Sequence, residues 1–583
     1  MVSFAGRYFY LSKKLIILSV MVGIIAGIGA IIFKILLDLS TNFFLVFLAG
    51  YEPPAPAGEE SLIKFFTATE FRRALLFFIP AIGGLFSGII VYTFAPEAEG
   101  HGTDAVIEAY HRQKGEIRSR VPIIKTIASA ITIGSGGSAG REGPIAQIGA
   151  GFGSYIAKKT RTSAREREIL TIAGAAAGIG SIFKAPFGGS LFGIEVLYKE
   201  DYEVDAFIPA IISTFVGYSI YALFIGWQPI FSAPQYIFVP FQLPFFVILG
   251  ILCGLLARVY VWFFYFIHES FKRLEIPNHF KPMIGGLLTG AIAVFFPQVI
   301  GVGYGYLQEA MNGNLLLEIM LILIFAKIAA TSFSIGSGGS GGVFAPSIVI
   351  GGMAGGLFGT IIQYLFPNLR VQIGIFVIIG MAAFFAGAAK VPIASIIMVS
   401  EMTWDYGILI PAILASIMSY IIAGELTIYR SQVRNKAESS VHITDFFYIT
   451  LSKFKVSEAM TVDVLCVEPE NTLDEVEKFV AHYGYSLFPV VDDNGKILGV
   501  ITLREIVKVP YKDRKNKTVQ EVMIKDNIYI TPNDSLARAL MLMIERNITK
   551  LPVIDPKDKR VIGLITMRDI SKVVYYKGLE LIR

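Results

Sequence analysis

Cysteine and charge are both scarce in this chain. Only Cys253 and Cys466 are present in 583 residues, one in an apolar run and one in a charged run, so neither a disulfide framework nor a thiolate zinc site can be built. Charged residues reach 17%, against about 25% in soluble domains, which excludes a chain of water-exposed globular units alone. The net charge of +5 is no sign of nucleic-acid binding, because the basic residues gather on loops between apolar runs. His268-Glu269 lacks the second histidine one turn on that a metalloprotease helix needs. The remaining scattered histidines, His111, His279, His442 and His482, read as surface residues. Gly136-Gly137-Ser138-Ala139-Gly140 fits G-x-S-x-G, but no soluble sheet or histidine partner accompanies it. The chain reads as no enzyme, with no metal site.

What is present is apolar and unevenly mixed. Hydrophobic residues make up 54% and the mean hydropathy is +0.61, so the chain belongs in a bilayer. Residues 1–450 hold 57 of the 97 charged side chains and residues 451–583 hold the other 40: a charge-poor part joined to a charge-rich tail. Uncharged stretches long enough for about 30 Å of hydrocarbon occur at 15–33, 75–95, 206–257, 328–369, 371–389 and 406–424. Arg7, Lys13 and Lys14 precede the first without a cleavage site, which reads as a retained helix. Three shorter runs, 126–140, 143–157 and 169–183, are bounded by glycine clusters and read as helices that stop inside the membrane, where freed backbone must face protein or a polar cavity.

Basic loops at Arg112–Lys125, Lys158–Arg167, Lys272-Arg273 and Arg430–Lys436 mark one side as cytoplasmic. The segments 51–61 and 226–242 carry no Lys or Arg and read as outward-facing. The N-terminus and the tail are then cytoplasmic.

Internal repetition carries the most information. Residues 133–146, IGSGGSAGREGPIA, align without a gap on residues 335–348, IGSGGSGGVFAPSI, at an offset of 202. Lys184-Ala185-Pro186, with Glu195 nine positions past its proline, matches Lys390-Val391-Pro392 with Glu401 likewise placed. Duplicated glycine-interrupted helices point to a substrate site at the repeat interface. The tail repeats too: Val456–Met460 matches Val519–Met523, and Phe488–Asp492 matches Leu551–Asp555, at an offset of 63. Each copy alternates short β runs with an amphipathic helix, which predicts paired small α/β units.

The string Gly140-Arg141-Glu142-Gly143-Pro144 sets a carboxylate between apolar segments, a functional candidate by default. Helix starts offer free amides to anions. Glu142 can fill such a site when ionised and vacate it when protonated, while Gly341-Gly342-Val343-Phe344-Ala345-Pro346 offers similar amides without a charge. Two converging helix starts, one bearing a carboxylate, describe an anion path with a movable plug.

On these motifs the chain resembles the CLC chloride channel and transporter family, and the tail resembles a pair of CBS domains. The resemblance implies an α-helical polytopic membrane protein, an inverted repeat with broken helices, followed by an α/β tandem CBS pair. The transport domain would span 1–440, with repeats at about 70–225 and 240–430, then a linker at 441–455 and CBS domains at 456–510 and 519–575. It implies Glu142 as the gate, with Val343 and Phe344 amides and the Tyr429 phenol around the anion. The family's first anion motif usually reads Gly-Ser-Gly-Ile-Pro; here it is Gly100-His101-Gly102-Thr103-Asp104, which puts an imidazole, able to donate a hydrogen bond and to take a proton, where a hydroxyl is usual.

In the family's exchangers an internal glutamate often follows the one matched by Glu195. Here Val196 stands there and cannot carry a proton, which favours passive conduction of chloride or another small anion over anion/proton antiport. A CBS-regulated divalent-cation transporter is the remote alternative, and a membrane-anchored sensor another. Thr502 with Glu505, and Thr566 with Asp569, would bind phosphate and ribose of an adenine nucleotide such as ATP, ADP or AMP. The family also implies a homodimer in the cell membrane.

Overall fold

The computed structural model describes residues 12–59, 69–233, 235, 239–369, 371–442, 450–525, 528–546 and 548–573. Arg7, part of each outward-facing segment, residues 443–449 of the linker and the end of the second CBS unit lie outside them. Two compact units divide the chain, Met1–Val441 and His442–Arg583.

The first unit is built from helices. Its first half runs α1 (Lys13–Thr41), α2 (Leu75–Phe94), α3 (Thr103–Arg112), α4 (Val121–Gly134), α5 (Glu142–Lys159), α6 (Ala164–Ile182), α7 (Pro186–Glu195) and α8 (Phe207–Ile225). The second half runs α9 (Leu243–Arg273), α10 (Lys281–Phe295), α11 (Tyr304–Met311), α12 (Leu317–Gly336), α13 (Phe344–Leu365), α14 (Ile373–Ala389), α15 (Pro392–Thr403) and α16 (Leu409–Ala423). Six described helices are long and apolar enough to cross a membrane. The uncharged stretch 206–257 is split where α8 ends at Gly226, whose φ is +95°, and 328–369 is split by the second G-S-G-G-S string. α5 and α6 outrun their apolar cores, at 18 and 19 residues, because charged turns extend them: Lys158 and Lys159 end α5, and a Ser163–Glu166 capping box starts α6.

The two halves pack alike. α5 lies on α6 as α13 lies on α14, and α1 lies on α8 and α6 as α9 lies on α16 and α14. The first repeat therefore begins at Lys13 and not near residue 70; α1 and α9 share no motif, because a lipid-facing span needs only apolarity on its outer face. On α1 that face is Ile17, Met21, Ile24, Ile28 and Ile32, all exposed at helical spacing. Its inner face is small: a Cβ on Gly23 would sit 2.4 Å from the Ser213 carbonyl oxygen, and one on Gly27 would sit 2.7 Å from that of Gly217.

The same contact recurs at matched places. Gly149 and Gly174 bring α5 and α6 together so closely that a Cβ on either would stand 2.1 Å from the other's carbonyl oxygen, and Gly351 and Gly380 do the same for α13 and α14 at 2.3 and 2.2 Å. These glycines thus give close helix packing, the role small residues play where lipid offers no hydrophobic drive.

The second unit holds two copies of one motif. Strands β1 (Leu487–Val491) and β2 (Ile497–Thr502) pair antiparallel, as do β3 (Lys550–Ile554) and β4 (Val561–Thr566), each pair bulged at the matching step. The helices are α17 (Leu473–Tyr483), α18 (Leu503–Val507), α19 (Val519–Val522) and α20 (Leu536–Glu545). A Thr472–Glu475 capping box starts α17 and Ser535 caps α20. The copies exchange their lead-in segments: Thr461 pairs with Leu564 of the second copy and Ile524 pairs with Val500 of the first. Each sheet is therefore completed by the other copy.

Candidate functional site

The two glycine strings meet backbone to backbone. The Gly140 amide donates to the Gly342 carbonyl at 2.7 Å and the Gly342 amide to the Gly140 carbonyl at 2.6 Å, an isolated antiparallel bridge that butts the starts of α5 and α13 together. Glu142 is the first residue of α5 and fully enclosed, at 1% exposed. Its Oε1 accepts from the Tyr304 hydroxyl at 2.7 Å and its Oε2 from the Ala345 amide at 3.3 Å. The carboxylate of one repeat thus lies across the helix start of the other. Val343 caps α13 and Phe344 begins it, positions whose amides have no partner within the helix. The Phe344 ring packs tilted against Phe183 and edge-on against Phe385, at 4.5 and 4.2 Å between centroids.

On the basic side, Gly102, with φ +82°, is the N-cap of α3 and His101 precedes it. Lys125 holds this turn by donating to the carbonyls of Ala98 and Gly100, at 2.9 and 2.7 Å. His101 is buried, its ring 5.4 Å from that of Tyr429, and Tyr429 is buried beside Thr103. Histidine and tyrosine are thus buried side by side at the start of α3. A cavity of about 730 Å³ opens below them, lined by His101, Asp104, His268 and Arg430 among others. Another, of about 410 Å³, lies beyond Glu142 beside Arg141, Tyr304 and Glu59.

The outer wall is a charge cluster. Arg141 grips Glu59 with both terminal nitrogens, Nη2 at 2.7 Å from Oε2, and Lys34 stands 3.7 Å from Glu59 and 2.5 Å from Asp38. Although burial opposes ionisation, Arg141 and Lys34 together hold the Glu59 carboxyl down at about 2.

The family model described as "Voltage gated chloride channel" matches residues 83–424, and the CBS domain model matches 456–512 and 519–576. The chain belongs to the CLC family. Among its relatives are the "H(+)/Cl(-) exchange transporter ClcA" of Vibrio campbellii, 30% identical over 57% of this chain and 73% of that one, and the "Chloride channel protein CLC-e" of Arabidopsis thaliana, 28% identical over 88% and 79%. A solved slow cyanobacterial Cl⁻/H⁺ antiporter shares the fold with a TM-score of 0.63 at 22% identity, covering 72% of this chain and 97% of its own. A eukaryotic CLC transporter covers 95% and 98% at a TM-score of 0.57 and 20% identity.

Within this CLC fold the repeated glutamates tie the halves together. Glu195 accepts from the Ile393 and Ala394 amides at the start of α15, at 3.1 and 2.6 Å; Glu401 accepts from the Phe187 and Gly188 amides at the start of α7, at 3.1 and 2.7 Å. Val196 is buried, and its carbonyl accepts from Gln432. Two further pairs went unread in the sequence. Lys327 matches Lys125 at the offset of 202 and donates to the carbonyls of Val299 and Gly301, and Gly301-Val302-Gly303 matches Gly100-His101-Gly102. The loop match would have led to Tyr304, which follows the second G-x-G as Thr103 follows the first.

His111 is buried as well, with Nδ1 2.8 Å from the Ser439 hydroxyl and Nε2 2.9 Å from the Leu197 carbonyl, so its surface reading is corrected; so is that of His442, also buried. His111 satisfies hydrogen bonds, and both are packed, which spacing alone does not reveal. In the tail, the Thr566 hydroxyl donates to Asp569 at 2.6 Å and Thr502 donates to Glu505. Each pair thus sits at a strand-to-helix turn, the acid already engaged by its own threonine. Among the described residues, no cluster of three His, Cys, Asp or Glu is arranged to hold a metal ion.

Proposed function

We propose that this chain is an anion pathway, most simply for chloride, in which Glu142 is the gate. The observation that carries this reading is the Glu142 carboxylate lying across the α13 start, held by the Ala345 amide and the Tyr304 hydroxyl. A small anion competes for the same donors, and protonation of the carboxyl removes the charge that binds it there. Val343, Phe344, His101, Gly102 and Tyr429 border the path. The gate conducts passively: Val196 gives protons no foothold beyond Glu195, whose carboxylate is occupied by two amides. The basic loops support a cytoplasmic N-terminus and CBS pair; the cell membrane, the homodimer and an adenine nucleotide in the CBS cleft enter this reading from the family resemblance.

The exchange activity named for the Vibrio relative supports the second reading, anion/proton antiport. Purified protein in vesicles separates the two. Dissipation of a chloride gradient without uphill proton movement is expected, and proton pumping against a gradient would reject passive conduction. Glu142→Gln is expected to raise chloride flux and flatten its dependence on outer pH; a variant identical to the parent would remove Glu142 from the gate.

A further inference from the structure

Residues 51–59, between α1 and α2, form a strap along the outer cavity of about 410 Å³. Its course is fixed at several points. Pro53, Pro54 and Pro56 restrict its backbone, the Tyr51 hydroxyl donates to the Pro297 carbonyl at 3.2 Å, and the Gly58 amide donates to the Ile230 carbonyl at 3.0 Å. It lies so close to α11 that a Cβ on Gly305 would stand 1.9 Å from the Pro54 carbonyl oxygen. The strap therefore delivers Glu59, a buried carboxylate, to one set place in the outer wall.

That carboxylate decides where the cation beside the gate points. Arg141 immediately precedes Glu142, yet it gives both terminal nitrogens to Glu59, with Nη2 also 3.4 Å from the Ile182 carbonyl. Among the described residues no hydrogen bond or ion pair joins it to Glu142, whose oxygens are held by Tyr304 and the Ala345 amide. The guanidinium carbon instead stands 5.4 Å from the centre of the Tyr304 ring. A line of contacts thus runs from the strap through Glu59, Arg141 and Tyr304 to Glu142. Facing the Glu59–Arg141 pair are Lys34 and Asp38 on α1, Lys184 ahead of α7 and Tyr221 on α8, with Glu52 along the cavity. Facing Glu142 are Arg141, Tyr304, Lys327 on α12 and Tyr429 after α16. Asp38 is paired with Lys34, so Glu59 is the carboxylate that balances Arg141. With its carboxyl held at about 2, it is a fixed charge at any ordinary outer pH.

We propose that Glu59 is a positioning residue for the gate: by occupying the Arg141 guanidinium it keeps that cation from Glu142, and so sets how readily outer protons release the gate. This rests on the anion-pathway reading with Glu142 as its gate, and adds the residue that tunes it. The signs follow from the charges. Without Glu59, the Arg141 charge is unbalanced, favours the ionised Glu142 and makes more acid necessary to open the path. Without Arg141, Glu59 loses its main cation and disfavours a second carboxylate nearby, so the path opens at higher pH. Damage to packing alone gives no such opposed signs.

The test is a planar bilayer holding the full-length protein, with chloride current followed as pH is varied on the outer side alone, from about pH 8 to about pH 4.5. Glu59→Gln is expected to move the midpoint of acid activation down by at least about half a pH unit, and Arg141→Gln to move it up by a similar amount. The double variant Glu59→Gln/Arg141→Gln is expected to lie nearer the wild type than either single change. Midpoints that stay in place in both single variants, or that move in the same direction, overturn the proposal. Glu59→Asp keeps the charge but withdraws it by one methylene, and is expected to lower the midpoint by less than Gln does. Where the Gln variants do not fold, Glu59→Asp carries the test, and an unmoved or raised midpoint overturns the proposal. A wild-type current that ignores outer pH, or a pH dependence that survives Glu142→Gln, rejects the gate reading itself, whereas a Glu142-dependent response blind to Glu59 and Arg141 rejects this inference alone.

Discussion

Single atoms set the behaviour of the proposed gate. Tyr304 holds one oxygen of Glu142 by a 2.7 Å hydrogen bond, and a hydrogen bond to a charged group contributes about 1.5–3 kcal/mol. Tyr304→Phe is therefore expected to shift the gate toward its open state by about tenfold or more, read as raised chloride flux at neutral pH. Gly143 admits no side chain, because the His101 carbonyl occupies its Cβ position; Gly143→Ala is expected to displace the start of α5 and abolish flux while leaving the CBS unit folded, as followed by limited proteolysis. Glu59 gives a signed pH effect. Its carboxyl is held at about 2, below its ordinary range near 4.3, so its stabilisation is complete above that ordinary value and is lost as pH falls through about 2. Glu59→Gln leaves Arg141 buried without its partner, at a cost of about 3–5 kcal/mol, which thermal unfolding in detergent would register at pH 7 and not at very low pH.

At the scale of elements, what was legible followed what the bilayer penalises. A carboxylate between apolar runs and a glycine string repeated at one offset both stand out from lipid-compatible sequence, so Glu142 and the α13 start were readable. Tyr304 was not, because a tyrosine at a helix start looks like any interfacial aromatic. Lys125 and Lys327 were not, because they donate to carbonyls, and carbonyls leave no mark in sequence. The cross-capping glutamates give a prediction at this level. Glu195→Ala or Glu401→Ala removes two charge-assisted bonds from the start of a helix in the other repeat, and each is expected to lower stability by about 1–3 kcal/mol, measured as a fall in the detergent melting temperature; Gln at either site retains an acceptor and is expected to lose less.

For the whole molecule, the tail and the transport unit raise separate questions. The CBS copies complete each other's sheets through Thr461 and Ile524, so deleting one copy is expected to unfold the other. The nucleotide reading predicts that ATP, ADP or AMP raises the melting temperature of the full-length protein and that Asp569→Asn weakens the effect; no shift at millimolar nucleotide would leave the tail without that ligand. In the transport unit, Glu195 closes a helix that belongs to the second repeat and Glu401 closes one that belongs to the first. A lone repeat carries the stopper for a helix it does not possess and lacks the stopper for the helix it does. Each half is therefore complementary to the other, and neither closes its own helix start without it.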